Sequence, residues 1–211
     1  MGSCFSLIAI KKKTYRLVGM LLPMNTETQH RKKDPIRLYQ QLLESAAMIA
    51  GRDGIAALSL NAVAREAGVS KGGLLHHFPN KQALIYALFA RLLAIMEEAI
   101  AALMQKDNIS YGRFTRAYVN YLSALTDTQE SRQLMVLSLA MPDEPVLRKC
   151  WRDWMLGHLA NGDELDNSPT GTLVRYTADG IWLSELTEGI TMSPEHRQAL
   201  VDSLNKMTLP A

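Results

Sequence analysis

Two apolar-faced stretches, each under ten residues long, are joined by Ala67-Gly68-Val69-Ser70, and this spacing constrains the chain more than any other feature. Ser59 stands where a helix N-cap is wanted, and Leu60, Val63, Ala64 and Ala67 recur behind it at helical spacing. Gly68 sits where a left-handed residue closes such a helix. Val69-Ser70 then offers one buried residue and a second cap, after which Lys71–Phe78 reads as another short helix that Pro79-Asn80 ends. The spacing therefore predicts helices at about 60–67 and 71–77 in a helix-turn-helix. Ahead of them, Asp34-Pro35 supplies a cap and a first-turn proline for a helix over about 35–51, with Ile36, Leu38, Leu42, Leu43, Ala46, Ala47 and Ile49 at helical spacing.

The parts fit physically. Ala64 is small where two helices would cross closely, and Val69, Leu74 and Phe78 can fill the wedge between the third helix and the first. This leaves Lys71, Gly72, Gly73, His76 and His77 facing outward. Glycines at the start of a helix let its backbone approach a groove floor or a phosphate, as base reading in the major groove requires. Adjacent helical residues point about 100° apart, so His76-His77 is not a metal pair. The other histidines, His30, His158 and His196, are spread along the chain without an associated motif, and no metal or cofactor is expected.

The rest of the chain is also helical in pattern, and strand alternation is absent. Helices are expected at about 80–105, 112–125, 130–141, 144–159, 170–188 and 194–207, with a loop from Asn161 to Pro169, about nine helices in an all-α fold. The net charge of +2 conceals an asymmetry: residues 1–82 hold 12 Lys/Arg against 5 Asp/Glu, and residues 83–211 hold 11 against 16. A basic first third on an acidic remainder is a footprint of a nucleic-acid-binding head on a separate body. Cys4 and Cys150 are too few and too far apart for a disulfide framework or a C-x-x-C metal site, so a cytoplasmic setting is expected.

Residues 1–33 read as a flexible leader and basic arm, 34–79 as the helix-turn-helix DNA-binding domain and 80–211 as a separate helical domain. In the leader, the apolar run Cys4–Ile10 precedes its charges rather than following them, unlike a secretory signal. Neither it nor Leu17–Met24 reaches the roughly 20 residues of a membrane span. The start Met-Gly-Ser-Cys fits a short acylation pattern, a plain leader being the alternative, and Met24 is a second candidate start. Arg31-Lys32-Lys33, just before the first helix, is either a solvated cluster or an arm that tracks phosphates.

Gly54–Lys81, GIAALSLNAVAREAGVSKGGLLHHFPNK, resembles the DNA-binding motif of the tetracycline-repressor family of bacterial regulators. The resemblance covers roughly residues 36–90 and rests on Ala64, Ala67-Gly68-Val69-Ser70, Leu74, His77-Phe78 and Lys81. It implies a three-helix domain that binds operator DNA and a larger helical domain that dimerises and binds a small effector. It further implies that Ser59 contacts phosphate, that Asn61 reaches a base, and that Lys71, Gly72 and Gly73 face the groove. His76 and His77 fall at positions that touch the backbone or thymine methyls, and Lys81 at a phosphate-binding lysine. The family commonly has tyrosine where this chain has Leu75; a phosphate bond is missing there, a role open to His76.

In the body, Phe114, Tyr118, Tyr121, Met135, Trp151, Trp154 and Met155 are expected to wall an apolar effector pocket, with ordinary core as the alternative. No cluster of Arg or Lys accompanies them in one helix, apart from Arg148, Lys149 and Arg152 on the flank, which favours a neutral or weakly anionic organic molecule over a phosphorylated one. The stretch 170–188 is apolar around much of its circumference and so must be buried on more than one side. A homodimer interface is expected there and on the last helix, through Leu173, Ala178, Ile181, Trp182, Leu183, Leu200 and Leu204. No G-x-S-x-G, phosphate loop or H-E-x-x-H occurs, so no enzyme is expected. The alternatives are an enzyme built on the helical body and an interaction protein with a non-functional helix-turn-helix. The expected partners are double-stranded operator DNA, a small organic effector and a second copy of the chain, with no membrane.

Overall fold

The computed structural model describes residues 34–125, 128–188 and 192–210. The leader, its acylation pattern and the Arg31-Lys32-Lys33 arm lie outside the described residues. The regular structure is ten α-helices and one 3-10 turn among the described residues, with no strand. None of these helices is long and apolar enough to cross a membrane. The chain divides into two compact units, one ending at Ala90 and the other beginning at Arg91.

In the first unit α1 (Pro35–Asp53) starts at Asp34, whose Oδ1 accepts from the backbone N–H of Ile36 and Arg37 at 3.0 and 3.2 Å. Such a cap contributes about 1 kcal/mol. Leu42, Leu43, Ala46, Ile49 and Ala50 form the buried stripe of α1. A 3-10 turn, Ile55–Ala57, leads to the fully buried Leu58, and α2 (Leu60–Glu66) and α3 (Lys71–Leu75) follow. Leu74 and Phe78 fill the unit's core, and the Phe78 ring lies 5.1 Å from that of Tyr39 on α1. α3 is two residues shorter than its apolar spacing predicts. His76, His77 and Phe78 close it with N–H bonds to Gly72, Leu74 and Leu74, and Pro79, lacking an N–H, cannot extend it. Asn80 then caps α4 (Lys81–Lys106), its Oδ1 accepting from Ala83 N at 2.8 Å.

The second unit contains the remainder of α4 with α5 (Arg113–Ala124), α6 (Gln129–Ala140), α7 (Pro145–Ala160), α8 (Glu164–Asn167), α9 (Pro169–Glu188) and α10 (Pro194–Lys206). α5 lies against α9 and α10 and buries Phe114, Ala117, Tyr118, Val119 and Leu122. α8 is one helical turn inside the stretch that reads as a loop. It has no apolar period to betray it; what holds it is a capping box between Asp163 and Asp166.

Asp166 also joins elements. It is 2% exposed, and its Oδ1 accepts from Thr115 N and Thr115 Oγ1 at 2.9 and 2.8 Å. Arg175 on α9, also buried, donates to Thr115 Oγ1 and to the Asp166 carbonyl, both at 2.8 Å. One turn further along α9, Asp179 accepts from the Tyr118 hydroxyl at 2.5 Å. α9 therefore presents buried polar groups as well as apolar ones to α5.

These two aspartates should respond oppositely to neutralisation. Asp166→Ala strands the Thr115 donors and removes the carboxylate charge that acts on Arg175, whose own bonds to the Asp166 carbonyl and Thr115 Oγ1 remain, and urea unfolding should show a loss of about 3 kcal/mol. Burial, the largest influence on Asp179, raises its carboxyl above the usual range, against the Tyr118 bond and the Arg175 charge. A carboxyl raised on folding favours the native state while protonated, and that advantage is lost as pH rises through the folded value. Asp179→Asn keeps an acceptor for Tyr118. It should raise the urea midpoint at pH 7 and leave it unchanged in acid, where the carboxyl is protonated in both states.

Candidate nucleic-acid interface and ligand cavity

The turn between α2 and α3 is closed by backbone chemistry. Gly68 takes φ +66°, a conformation an L side chain resists. Its N–H bonds Arg65 O at 3.1 Å and the Val69 N–H bonds Ala64 O at 2.9 Å, which satisfies the last carbonyls of α2. The Ala67 carbonyl accepts from Gln41 Nε2 of α1 at 2.8 Å, so α1 fixes the turn from behind. Sequence spacing does not reveal Gln41, which stands beside Gln40 among several polar residues of α1.

The turn aims α3 outward. Ser70 caps it, its Oγ accepting from Gly73 N at 3.1 Å, and Ser59 caps α2 by accepting from Ala62 N at 3.1 Å. Ser59, Asn61, Lys71, Gly72 and His76 are exposed, while Gly73, His77 and Lys81 are half-buried. Leu75, standing where a tyrosine is common in the family resembled, is 39% exposed. Arg65, in the last turn of α2, is an exposed cation that the motif does not single out. Burial, and secondarily the charge of His76, hold His77 below the usual imidazole range, so near pH 7 it is a neutral ring, 6.1 Å from that of Tyr39. Lys81 Nζ donates to the Ile55 carbonyl at 3.3 Å and so ties the start of α4 to the 3-10 turn. A Cβ built on Gly72 meets nothing within 4 Å, so the protein's own packing does not require glycine there.

In the second unit, Phe114, Tyr118 and Trp154 are buried with Tyr121, while Met135, Trp151 and Met155 are half-buried. Phe114 stands 6.1 Å from both Tyr118 and Trp154, and Trp151 stacks on Trp154 at 5.3 Å. These four form one cluster. Tyr121 is held apart, its hydroxyl donating to Glu130 at 2.9 Å, and burial first, then the Glu130 charge, raises its phenol far above the usual range. Trp154 Nε1 donates to Glu97 Oε2 at 2.8 Å, and His158 Nε2 meets the same oxygen at 2.7 Å. The His158 ring stacks flat on Phe114 at 4.4 Å. A cavity of about 320 Å³ opens beside this stack, lined by Met104, Ser110, Arg113, Phe114, His158, Asn161, Gly162, Asp163 and Asp166. Of the aromatic and Met residues singled out in the sequence, Phe114 reaches it. His158, one turn beyond Trp154, is the signal that could have pointed there.

Along α9, Ala178 and Trp182 are buried within the protomer together with Leu204 of α10, the Trp182 indole donating to Ser131 Oγ at 3.1 Å. Ile181, Leu183 and Leu200 are half-buried. Leu173 is 55% exposed and Tyr176 70%, and Gly180 continues their face with open space beside it.

Residues 42–88 match the family described as bacterial regulatory proteins, tetR family, and residues 112–209 match the tetracyclin repressor-like C-terminal domain. The chain belongs to the tetracycline-repressor family. It is similar to the transposon Tn10 TetC protein of Escherichia coli, 26% identical over 113 residues, 54% of this chain and 56% of that one. It is also similar to the HTH-type transcriptional repressor KstR2 of Mycolicibacterium smegmatis, 22% identical over 161 residues, 71% of this chain and 78% of that one. The multidrug binding protein EbrR, solved complexed with imidazole, shares the fold with a TM-score of 0.63 at 24% identity over 90% of this chain and 100% of its own.

Membership in the tetracycline-repressor family gives the first unit a DNA-binding domain and the second a ligand-binding domain. Gly72 offers a test of which constraint acts on the recognition helix. Gly72→Ala fills empty space and removes backbone entropy from the unfolded chain, so stability should rise by up to about 1 kcal/mol. If the open face of α3 meets DNA closely, fluorescence anisotropy should show weaker binding by the same variant. A variant both more stable and unimpaired on DNA would place Gly72 away from the groove.

Proposed function

We propose that the chain is a cytoplasmic repressor that binds a palindromic operator as a homodimer and is released by a small organic effector. The observation that carries this reading is α3: capped by Ser70, held by the Gly68 turn, and open to solvent along Lys71, Gly72 and His76. Its first residues would read bases, with Lys71 on the groove floor and Asn61 of α2 at its edge. Ser59, His76, His77 and Lys81 would face the backbone, and the neutral His77 would supply a hydrogen bond rather than a charge. Lys81 keeps donors beyond the one on Ile55, so it can serve a phosphate and the fold together.

The second copy would dock on the exposed face of α9 around Leu173, Tyr176 and Gly180, continued by Leu183 and Leu200. The expected interface narrows in this way because Ala178, Trp182 and Leu204 are already buried by their own protomer. Release follows if the effector binds more tightly to a conformation whose two heads no longer match successive grooves; equal affinity for both states would shift nothing. α4 starts in the first unit and carries Glu97, the acceptor for Trp154 and His158, in the second, which supports it as the moving part.

Titration of the full chain against genomic fragments tests this directly. A sequence-dependent, saturable gel shift is expected, and uniform weak binding to all fragments would contradict it. Lys81→Ala should weaken every fragment alike and lower the salt slope by about one, whereas Lys71→Ala should cost about 1–3 kcal/mol on the preferred fragment and relax one position. The wild type should sediment at twice the 23.5 kDa chain mass. Tyr176→Arg, on the open face, should yield a folded monomer that loses the shift.

A further inference from the structure

The cavity beside Phe114 has a chemical character that the aromatic cluster does not. Two carboxylates line it, and both oxygens of each accept from the protein's own donors. Asp163 accepts from Asp166 N with Oδ1 and from Gly112 N with Oδ2, at 3.0 and 2.6 Å. Asp166 accepts from both donors of Thr115 with Oδ1 and from Asp163 N with Oδ2. Nearby Asp107 is occupied by Arg116, whose Nε and Nη2 reach its Oδ2 at 2.8 and 2.7 Å, and it also feels the Arg113 charge without a hydrogen bond between them. Arg113 is different. Its Nε makes one long bond to the Ile109 carbonyl, 3.4 Å, and its two terminal nitrogens meet no acceptor among the described residues. Ser110 Oγ and Asn161 Oδ1, also on the lining, carry no bond among the described residues, Asn161 having turned its Nδ2 to Gly157 O at 2.7 Å. The other walls are the Met104 side chain and the Phe114–His158 stack.

We infer that this cavity binds a small organic monocarboxylate, its carboxylate on the guanidinium of Arg113 and its apolar body against Met104 and Phe114. A planar guanidinium with two free terminal nitrogens matches a carboxylate in a bidentate pair. The volume, about 320 Å³, lies at the small end of organic ligand sites, roughly 300–1,000 Å³, and suits one ring or a short alkyl chain. His158 gives the cavity a route to α4, since it shares the Glu97 oxygen with Trp154. The assignment deepens the ligand-responsive regulator proposed above and rests on it for release of DNA, though not for binding.

Calorimetric titration of the full chain with benzoate, phenylacetate and hexanoate, each beside its amide and its amine, tests the assignment. At least one carboxylate should bind about tenfold or more tightly than its amide, and it should quench the fluorescence of Trp154, whose ring lies 4.6 Å from that of His158. Arg113 is half-exposed, so Arg113→Gln should melt as the wild type does while losing the carboxylate preference. Absence of binding by all three acids, preference for the amines, or full carboxylate affinity in Arg113→Gln would overturn the assignment. Operator binding separates the two levels. If benzoate binds through Arg113 and operator affinity is unchanged, the cavity stands and the inducer function fails. If compounds from a broader screen release operator equally from wild type and Arg113→Gln, the inducer function stands and the cavity assignment fails.

Discussion

Everything the first unit can offer a partner depends on how the last carbonyls of α2 are satisfied. Four residues must reverse the chain between two helices that are each too short to be stable alone. Gly68 in the left-handed region lets its own N–H and that of Val69 turn back on Arg65 and Ala64, and Gln41 takes the Ala67 carbonyl from α1. With those groups paired, Leu74 and Phe78 are driven into the core and the opposite side of α3 is left to solvent. A β-branched residue at position 68 would force the backbone out of this turn, and the orientation of Lys71, Gly72 and His76 would go with it.

The second unit uses a different device for a similar end. Its helices bury apolar faces, yet α5, α8 and α9 are joined by a buried set of charges and hydroxyls around Asp166, Thr115 and Arg175. Apolar packing alone tolerates sliding of one helix on another, whereas these directional bonds specify one register. Asp166 and Arg113 both line the cavity, where the terminal nitrogens of Arg113 meet no hydrogen-bond acceptor among the described residues.

Much of this was legible in the sequence because it is local. Asp34, Ser59, Ser70 and Gly68 act within three or four residues of themselves, and each occupies the capping or turn position its spacing predicts. The body helices are legible for the same reason, through apolar periodicity. What was not legible is what apolar spacing does not encode. α8 is held by an acidic capping box rather than an apolar stripe, and α3 ends early because the His77 and Phe78 N–H groups both turn back on the Leu74 carbonyl. Ala178, Trp182 and Leu204 read as a surface for a second copy, since periodicity shows that a face is apolar without showing what covers it; their own protomer buries them. The cavity escaped for a related reason. Its lining gathers Met104, Arg113, His158 and Asp163 from parts of the chain that no single period connects.

The central claim is that two copies of α3 read successive major grooves of one DNA site. Hydroxyl-radical footprinting of the bound operator measures this most directly. The account predicts two symmetric sets of protections whose centres lie about 34–36 Å apart, one helical turn, or a multiple of it, with Gly68→Val abolishing both together. A single asymmetric patch, or two protections retained in Gly68→Val, would contradict it.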